Sequence, residues 1–224
     1  MAPQATVWAV VVAGGSAVRF GSYKQFAVLA GREVVDWSLE AAHRACSGVV
    51  LVVPADCVDA YQGRALRVVA GGPTRPSSVR AGLAAVPAEA EVVVVHDAAR
   101  PLASERAWDA VVAAVLGGAD AAVPCVPVTD TIKERGDDGR LVTLDRGRLV
   151  AAQTPQAFRA EALRAAHSSV AETTDDAALV EAMGGRVVEV LGEATNLKLT
   201  EPFDLAVAEV LLARADPAVL GPRQ

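Results

Sequence analysis

The chain has 224 residues, 52% hydrophobic and 21% charged, with 21 Lys+Arg against 27 Asp+Glu and a net charge of −6. This composition is globular and excludes a disordered tail protein. The acidic balance excludes a chain built mainly to coat nucleic acid or an anionic membrane, although a few local cations suffice to hold a small anion. Aromatic residues make up only 4%, so Val, Leu and Ala must build the core.

Apolar runs such as Val7–Ala13 and Val92–Val95 fall far short of the roughly 20 residues of a membrane helix. No basic segment precedes the first apolar run, so no secretory signal is expected there. Cys46, Cys57 and Cys125 are odd in number and widely spaced, which makes neither a disulfide framework nor a CxxC metal pair. They are expected as small buried hydrophobes in a reducing cytoplasm.

In chain order, Val7–Val12 is a continuous apolar run that predicts a strand covered on both faces, as in a parallel sheet. Val34–Ala45 follows as a helix with Val34, Trp37, Leu39, Ala41 and Ala42 on its apolar side. Val49–Val53 repeats the strand pattern, and Arg67–Val69 is a shorter strand before a helix over Ser77–Ala85. Val92–Val95 is the next buried strand, and Ser104 caps a helix running to Leu116. Ala121–Val123 is another strand. Within Pro127–Val150, the segments Thr131–Glu134 and Leu141–Leu144 flank the turn-rich Arg135–Arg140, which predicts a projecting hairpin or arm. Helices are expected over Ala160–His167, over Asp175–Met183 before Gly184-Gly185, and over Phe203–Ala213 after Pro202. This alternation implies a three-layer α/β fold whose ligands bind at the carboxyl ends of the strands.

Three patches fall at such ends. Ala13-Gly14-Gly15 follows the first strand, where successive N–H groups can hold phosphate oxygens, and Arg19 and Lys24 add cations. A Walker loop is absent, and Gly15 is followed by Ser16 and Ala17, so the dinucleotide fingerprint fails and hydride transfer is disfavoured. Gly71-Gly72 precedes a helix start near Ser77 and Ser78, where an N-cap is the simpler reading of the patch alone. Asp97 ends the strand Val92–Val95 and needs a cation as partner. That partner is Mg²⁺, which binds through one or two carboxylates plus substrate phosphates, or Arg100 in an ion pair; the neighbouring phosphate loop favours the metal. His96 points to the other side as a core histidine, and His43 and His167 are expected to face solvent.

Taken together, the glycine loop with Arg19 and Lys24-Gln25, Gly71-Gly72 with Arg75 and Ser78-Val79, and His96-Asp97-Ala98-Ala99-Arg100-Pro101 resemble the 2-C-methyl-D-erythritol 4-phosphate cytidylyltransferases. Val128–Lys133, Gln153-Thr-Pro-Gln156, Thr174-Asp-Asp176 and Asn196-Leu-Lys198 continue the match in the same order, over roughly residues 7–212. The resemblance implies a three-layer Rossmann-like nucleotidyltransferase fold, with a mostly parallel sheet and a projecting β-arm. Residues 1–224 would form one such domain, and the arm, about 129–150, would make a homodimer in the cytoplasm. The implied reaction joins methylerythritol phosphate to CTP and releases pyrophosphate, with Mg²⁺ and without nucleic acid or membrane as partner. Arg19, Lys24 and Lys198 match the family's catalytic cations; Ala13, Gly14, Gly15, Gly72, Arg75, Ser78 and Asp97 match nucleotide positions, with Asp97 also the metal ligand. Arg100, Thr131 and Arg146 match substrate positions, the arm residues acting from the other subunit. Ala17 and Tyr23 stand where the family usually has glycine and proline, so the loop loses a rigid turn before Lys24. A cytidylyltransferase for another polyol phosphate, such as ribitol 5-phosphate, shares most of these motifs, and a nucleotide-binding regulator that has lost catalysis is the reading of another class.

Overall fold

The computed structural model describes residues 5–15, 23–168 and 175–215. Its strands are β1 (Val7–Val12), β2 (Val28–Leu29), β3 (Arg32–Glu33), β4 (Gly48–Val53), β5 (Arg67–Ala70), β6 (Val92–Asp97), β7 (Ala121–Pro127), β8 (Lys133–Arg135), β9 (Leu141–Thr143), β10 (Val150–Ala152), β11 (Gln156–Arg159) and β12 (Val187–Leu191). Its helices are α1 (Val34–Ala45), α2 (Val58–Tyr61), α3 (Arg75–Ala84), α4 (Glu105–Leu116), α5 (Ala160–Ala166), α6 (Asp176–Ala182) and α7 (Pro202–Ala215).

The main sheet runs β10-β7-β11-β6-β1-β4-β5, with β12 also on β7. Pairs β1–β4, β1–β6, β4–β5 and β12–β7 are parallel, whereas β10 and β11 run antiparallel to their neighbours. The expected mostly parallel sheet is present, and the sequence pattern missed the antiparallel β10 and β11 and the parallel β12. Gln156-Ala-Phe-Arg and Val150-Ala-Ala are too short to show a run, and β12 carries Glu189 in its middle.

Alternation along the buried strands builds two apolar layers. Ala9, Val11, Val49, Leu51, Val92 and Val94 face α1 and α4, meeting Val35, Leu39, Trp108 and Val111. Val10, Val50, Val52, Val93 and Val95 face the other side, meeting Val79 and Leu83 of α3, Leu163 of α5 and Leu179 of α6. Every residue of β4 and β6 is buried, as strands covered on both faces require. Cys125 joins the second layer, while Cys46 and Cys57 are only half-buried.

Helix boundaries follow their caps. Ser104 accepts from the Ala107 N–H and starts α4 as expected. α3 begins two residues earlier than its periodicity predicts, because Thr74 rather than Ser77 is the cap. The Thr74 side chain accepts from the Ser77 N–H and the Ser77 Oγ accepts from the Thr74 N–H. The hairpin is present as β8 paired with β9, and Leu141, Val142 and Val150 leave its side of the molecule apolar and exposed. Among the described residues no helix is long and apolar enough to cross a membrane.

Candidate active site

Parallel pairing of β1 with β6 sets Val12 opposite Asp97, so the loop after one strand and the carboxylate ending the other arrive together. The Ala13 N–H continues the sheet by donating to Val52 O, and the Gly71 N–H donates to Val53 O, which brings the second glycine patch alongside. The two loops nearly touch: a Cβ on Gly71 would lie 2.9 Å from Ser78 Oγ and 3.4 Å from the Gly14 Cα. Ser78, on the first turns of α3, accepts from the Gly72 N–H at 3.2 Å and donates to Gly72 O at 3.3 Å. It therefore shapes the cleft wall rather than capping its helix.

The resulting cleft has a volume of about 440 Å³ and is lined by Ala13, Gly14, Gly15, Lys24, Gly72, Arg75, Ser78, Asp97 and Lys198 among others. Gln25, which the sequence shows only as the neighbour of Lys24, is buried and donates from Nε2 to Ala13 O at 2.6 Å and Gly15 O at 3.1 Å. It ties the start of the glycine loop to its far side and so places Lys24. Tyr23 takes φ −66°, the angle a proline would impose, so the turn before Lys24 is made without one. Arg19 and Ala17 lie outside the described residues.

Asp97 pairs with neither Arg100 nor a histidine. Its Oδ1 accepts from Arg75 Nε at 3.1 Å and its Oδ2 from Lys198 Nζ at 2.6 Å. Burial opposes the Asp97 charge, but the adjacent Arg75 and Lys198 outweigh it and hold the carboxyl well below the usual range. Burial likewise opposes the Arg75 charge, and Asp97 and Asp176 outweigh it, keeping the guanidinium firmly protonated. Arg100 instead donates to Asn196 O at 2.8 Å and Ala152 O at 3.5 Å, and burial lowers its pKa. It braces the segment carrying Lys198 and does not line the cleft. Asn196, fully buried, adds a bond from Nδ2 to Thr154 O, and the Leu199 N–H donates to Ala99 O, so Lys198 projects from backbone fixed on both sides.

His96 is the core histidine expected. It packs on Trp108 with ring centroids 5.0 Å apart, and its Nε2–H donates to Arg100 O. The Thr154 hydroxyl donates to Nδ1 and accepts from the Asp97 N–H, fixing the end of β6. His43 is exposed, but His167 is buried. It sits just past the end of α5, where helical periodicity no longer decides facing, and donates to Asp176.

Asp97 is the sole carboxylate lining the cleft among the described residues, and no group of three or more His, Cys, Asp or Glu there forms a metal cage. That donor set fits a Mg²⁺ ion held by one carboxylate together with substrate phosphates. Thr131 and Arg146 lie exposed on the arm; Arg146 Nη1 donates to Thr129 O, and neither residue lines the cleft.

Comparison with known proteins agrees with this geometry. A family model described as 2-C-methyl-D-erythritol 4-phosphate cytidylyltransferase matches residues 7–214. The chain is similar to proteins of that name from Frankia casuarinae, 44% identical over 95% of this chain and 83% of the relative, and from Rubrobacter xylanophilus, 43% identical over 92% and 94%. Crystal structures of that cytidylyltransferase from Thermus thermophilus and of the 4-diphosphocytidyl-2C-methyl-D-erythritol synthase from Anaerococcus prevotii superpose with TM-scores of 0.79 and 0.83. Their identities are 34% and 29%; they cover 91% and 94% of this chain and 97% and 99% of their own chains.

Proposed function

The chain belongs to the 2-C-methyl-D-erythritol 4-phosphate cytidylyltransferase family, and on that premise we propose that it joins methylerythritol phosphate to CTP in isoprenoid biosynthesis, releasing pyrophosphate. The observation that carries this reading is the meeting of exposed glycine backbone, Lys24, Lys198 and Asp97 in one cleft at the carboxyl ends of β1 and β6.

An oxygen of the substrate phosphate attacks the CTP α-phosphorus in line; that P–O bond forms as the bond to the β-phosphate breaks and pyrophosphate departs. Charge grows on the α-phosphoryl oxygens and the leaving group, so catalysis is a matter of positioning and fixed cations rather than of an acid and a base. Lys24 and Lys198 both line the cleft and supply cations there, and Arg19 is assigned the same task from the family motif. Backbone groups of Ala13, Gly14, Gly15 and Gly72, with Ser78, receive the cytosine and phosphates, and Arg75 stiffens that wall. Asp97 would hold Mg²⁺, which when bound neutralises phosphate charge.

Thr131 and Arg146 are assigned to the second substrate's phosphate in the partner's cleft. That neither lines the cleft of its own chain, and that Leu141, Val142 and Val150 are exposed, support a homodimer through the arm. Its free cysteines suit a reducing compartment, and the enzyme is assigned to the cytoplasm.

The test is pyrophosphate release with each nucleoside triphosphate and Mg²⁺, offering methylerythritol phosphate and ribitol 5-phosphate in parallel. Release with CTP and methylerythritol phosphate is expected. Release only with ribitol phosphate reassigns the substrate, and no release with any pair defeats the enzyme reading. For the arm, an Arg146→Ala chain mixed with a Lys24→Ala chain should recover activity that neither homodimer has; no recovery would place Arg146 in cis.

A further inference from the structure

Behind the cleft wall, charged groups continue into the core. Lys198 Nζ meets Asp97 Oδ2 at 2.6 Å, and Asp97 Oδ1 meets Arg75 Nε at 3.1 Å. Arg75 Nη1 meets Asp176 Oδ2 at 2.7 Å, and Asp176 Oδ1 meets His167 Nε2 at 3.0 Å. Charges alternate from Lys198 to Asp176, and the last two members of the row lie outside the cleft: Asp176 is 0% exposed and His167 5%. A buried carboxylate so far from substrate serves some purpose other than solubility, because its desolvation is expensive unless partners hold it.

The Arg75 fork explains the arrangement. Its guanidinium is planar and rigid, so each N–H committed to one partner is withdrawn from another. Asp176 engages Nη1 while Nε reaches Asp97 Oδ1, so carboxylates on two sides fix the orientation of the guanidinium, and the second Asp97 oxygen is left to Lys198. Without the Asp176 charge the Nη1 side loses its anchor, and the guanidinium is free to turn its Nε and Nη2 edge onto both Asp97 oxygens in competition with Lys198. A carboxylate accepts only, so His167 must donate from Nε2, and this bond fixes the Asp176 oxygen that Arg75 does not use.

We infer that Asp176, braced by His167, is a positioning residue for cytidylyl transfer: it holds Arg75 so that Asp97 keeps its second oxygen for Lys198 and Lys198 keeps its place in the cleft. The inference rests on the transfer reaction proposed above. Neither residue touches substrate, and both act through Arg75.

The test uses the full chain, with steady-state pyrophosphate release measured per folded enzyme and folding checked by thermal melting. In Asp176→Asn, kcat should fall about 10–100-fold, as displacement of a reacting group by an ångström does, with KM for CTP within about threefold. In a Lys198→Met background the same substitution should cost little more, since both act on one cation. Should Asp176→Asn fail to fold, the His167 variants decide. His167→Gln, which still donates, should keep kcat within about threefold, and His167→Leu should lose about tenfold. Undiminished kcat in folded Asp176→Asn, full additivity with Lys198→Met, or equal kcat in the two His167 variants overturns the inference while the transfer reaction stands. An inactive wild-type chain overturns both.

Discussion

Acidification should destabilise this protein through His96. His96 is 0% exposed, and burial, its leading perturbation, lowers its pKa from 6.5 to about 4 despite the opposing pull of Asp97. The geometry agrees: Nε2–H is spent on Arg100 O, and Nδ1 accepts from the Thr154 hydroxyl, so a second proton has no acceptor without rotating that hydroxyl. In the unfolded chain the imidazole regains its ordinary affinity. Between pH 6.5 and 4 the unfolded state therefore binds more protons, and stability falls as pH falls. At about 1.4 kcal/mol per pH unit for one proton, the loss is roughly 2 kcal/mol by pH 5 and about 3 kcal/mol by pH 4. Urea midpoints from pH 7.5 to 4 would be compared between wild type and His96→Gln. The variant is expected to be less stable at pH 7 but flatter with pH, because every other ionisable group is shared by the two chains and cancels in the difference. Parallel curves over this window would refute the reasoning.

Other substitutions probe the cleft and its supports. Lys24→Ala and Lys198→Ala should each lower kcat about 10²–10³-fold, the effect of one preorganised electrostatic donor; unchanged turnover in both would remove them from the reaction. Gln25→Leu deletes two hydrogen bonds to the carbonyls of Ala13 and Gly15, and should weaken CTP binding about tenfold by calorimetry. Gly82→Ala brings two effects into competition: alanine gains about 1 kcal/mol of helix propensity, but its Cβ would strike Val10 and lie 2.8 Å from Val52 Cγ2. Overpacking wins, and urea denaturation should show a net loss of about 1–2 kcal/mol. Thr74→Ala removes the side-chain half of the cap on α3, the bond from the Ser77 N–H, while its own N–H still reaches Ser77 Oγ, and should cost about 1 kcal/mol in the same assay.

The amino-acid sequence by itself determined the layered α/β architecture, the ends of α1 and α4, the hairpin, and the loops where ligand would bind. Each of these is written locally, in continuous apolar runs, helical spacing, cap residues and glycines after strands. It also marked Lys24 and Asp97 by their place after buried strands, but Arg75 and Lys198 only as members of a shared order of motifs, since Lys198 alone reads as an ordinary solvated lysine. Tertiary structure decided who meets whom. That Asp97 pairs with Arg75 and Lys198 rather than with Arg100, three residues away in sequence, depends on the register of β1 against β6 and on the Asn196 anchor. That Arg100 is a strut, that β11 runs antiparallel in a mostly parallel sheet, and that His167 turns inward to Asp176 are equally matters of long-range pairing. Local spacing carries no information about a partner 101 residues distant, as Lys198 is from Asp97 and Asp176 from Arg75. Only the folded chain brings such charges close enough for their mutual attraction to offset the cost of burying them.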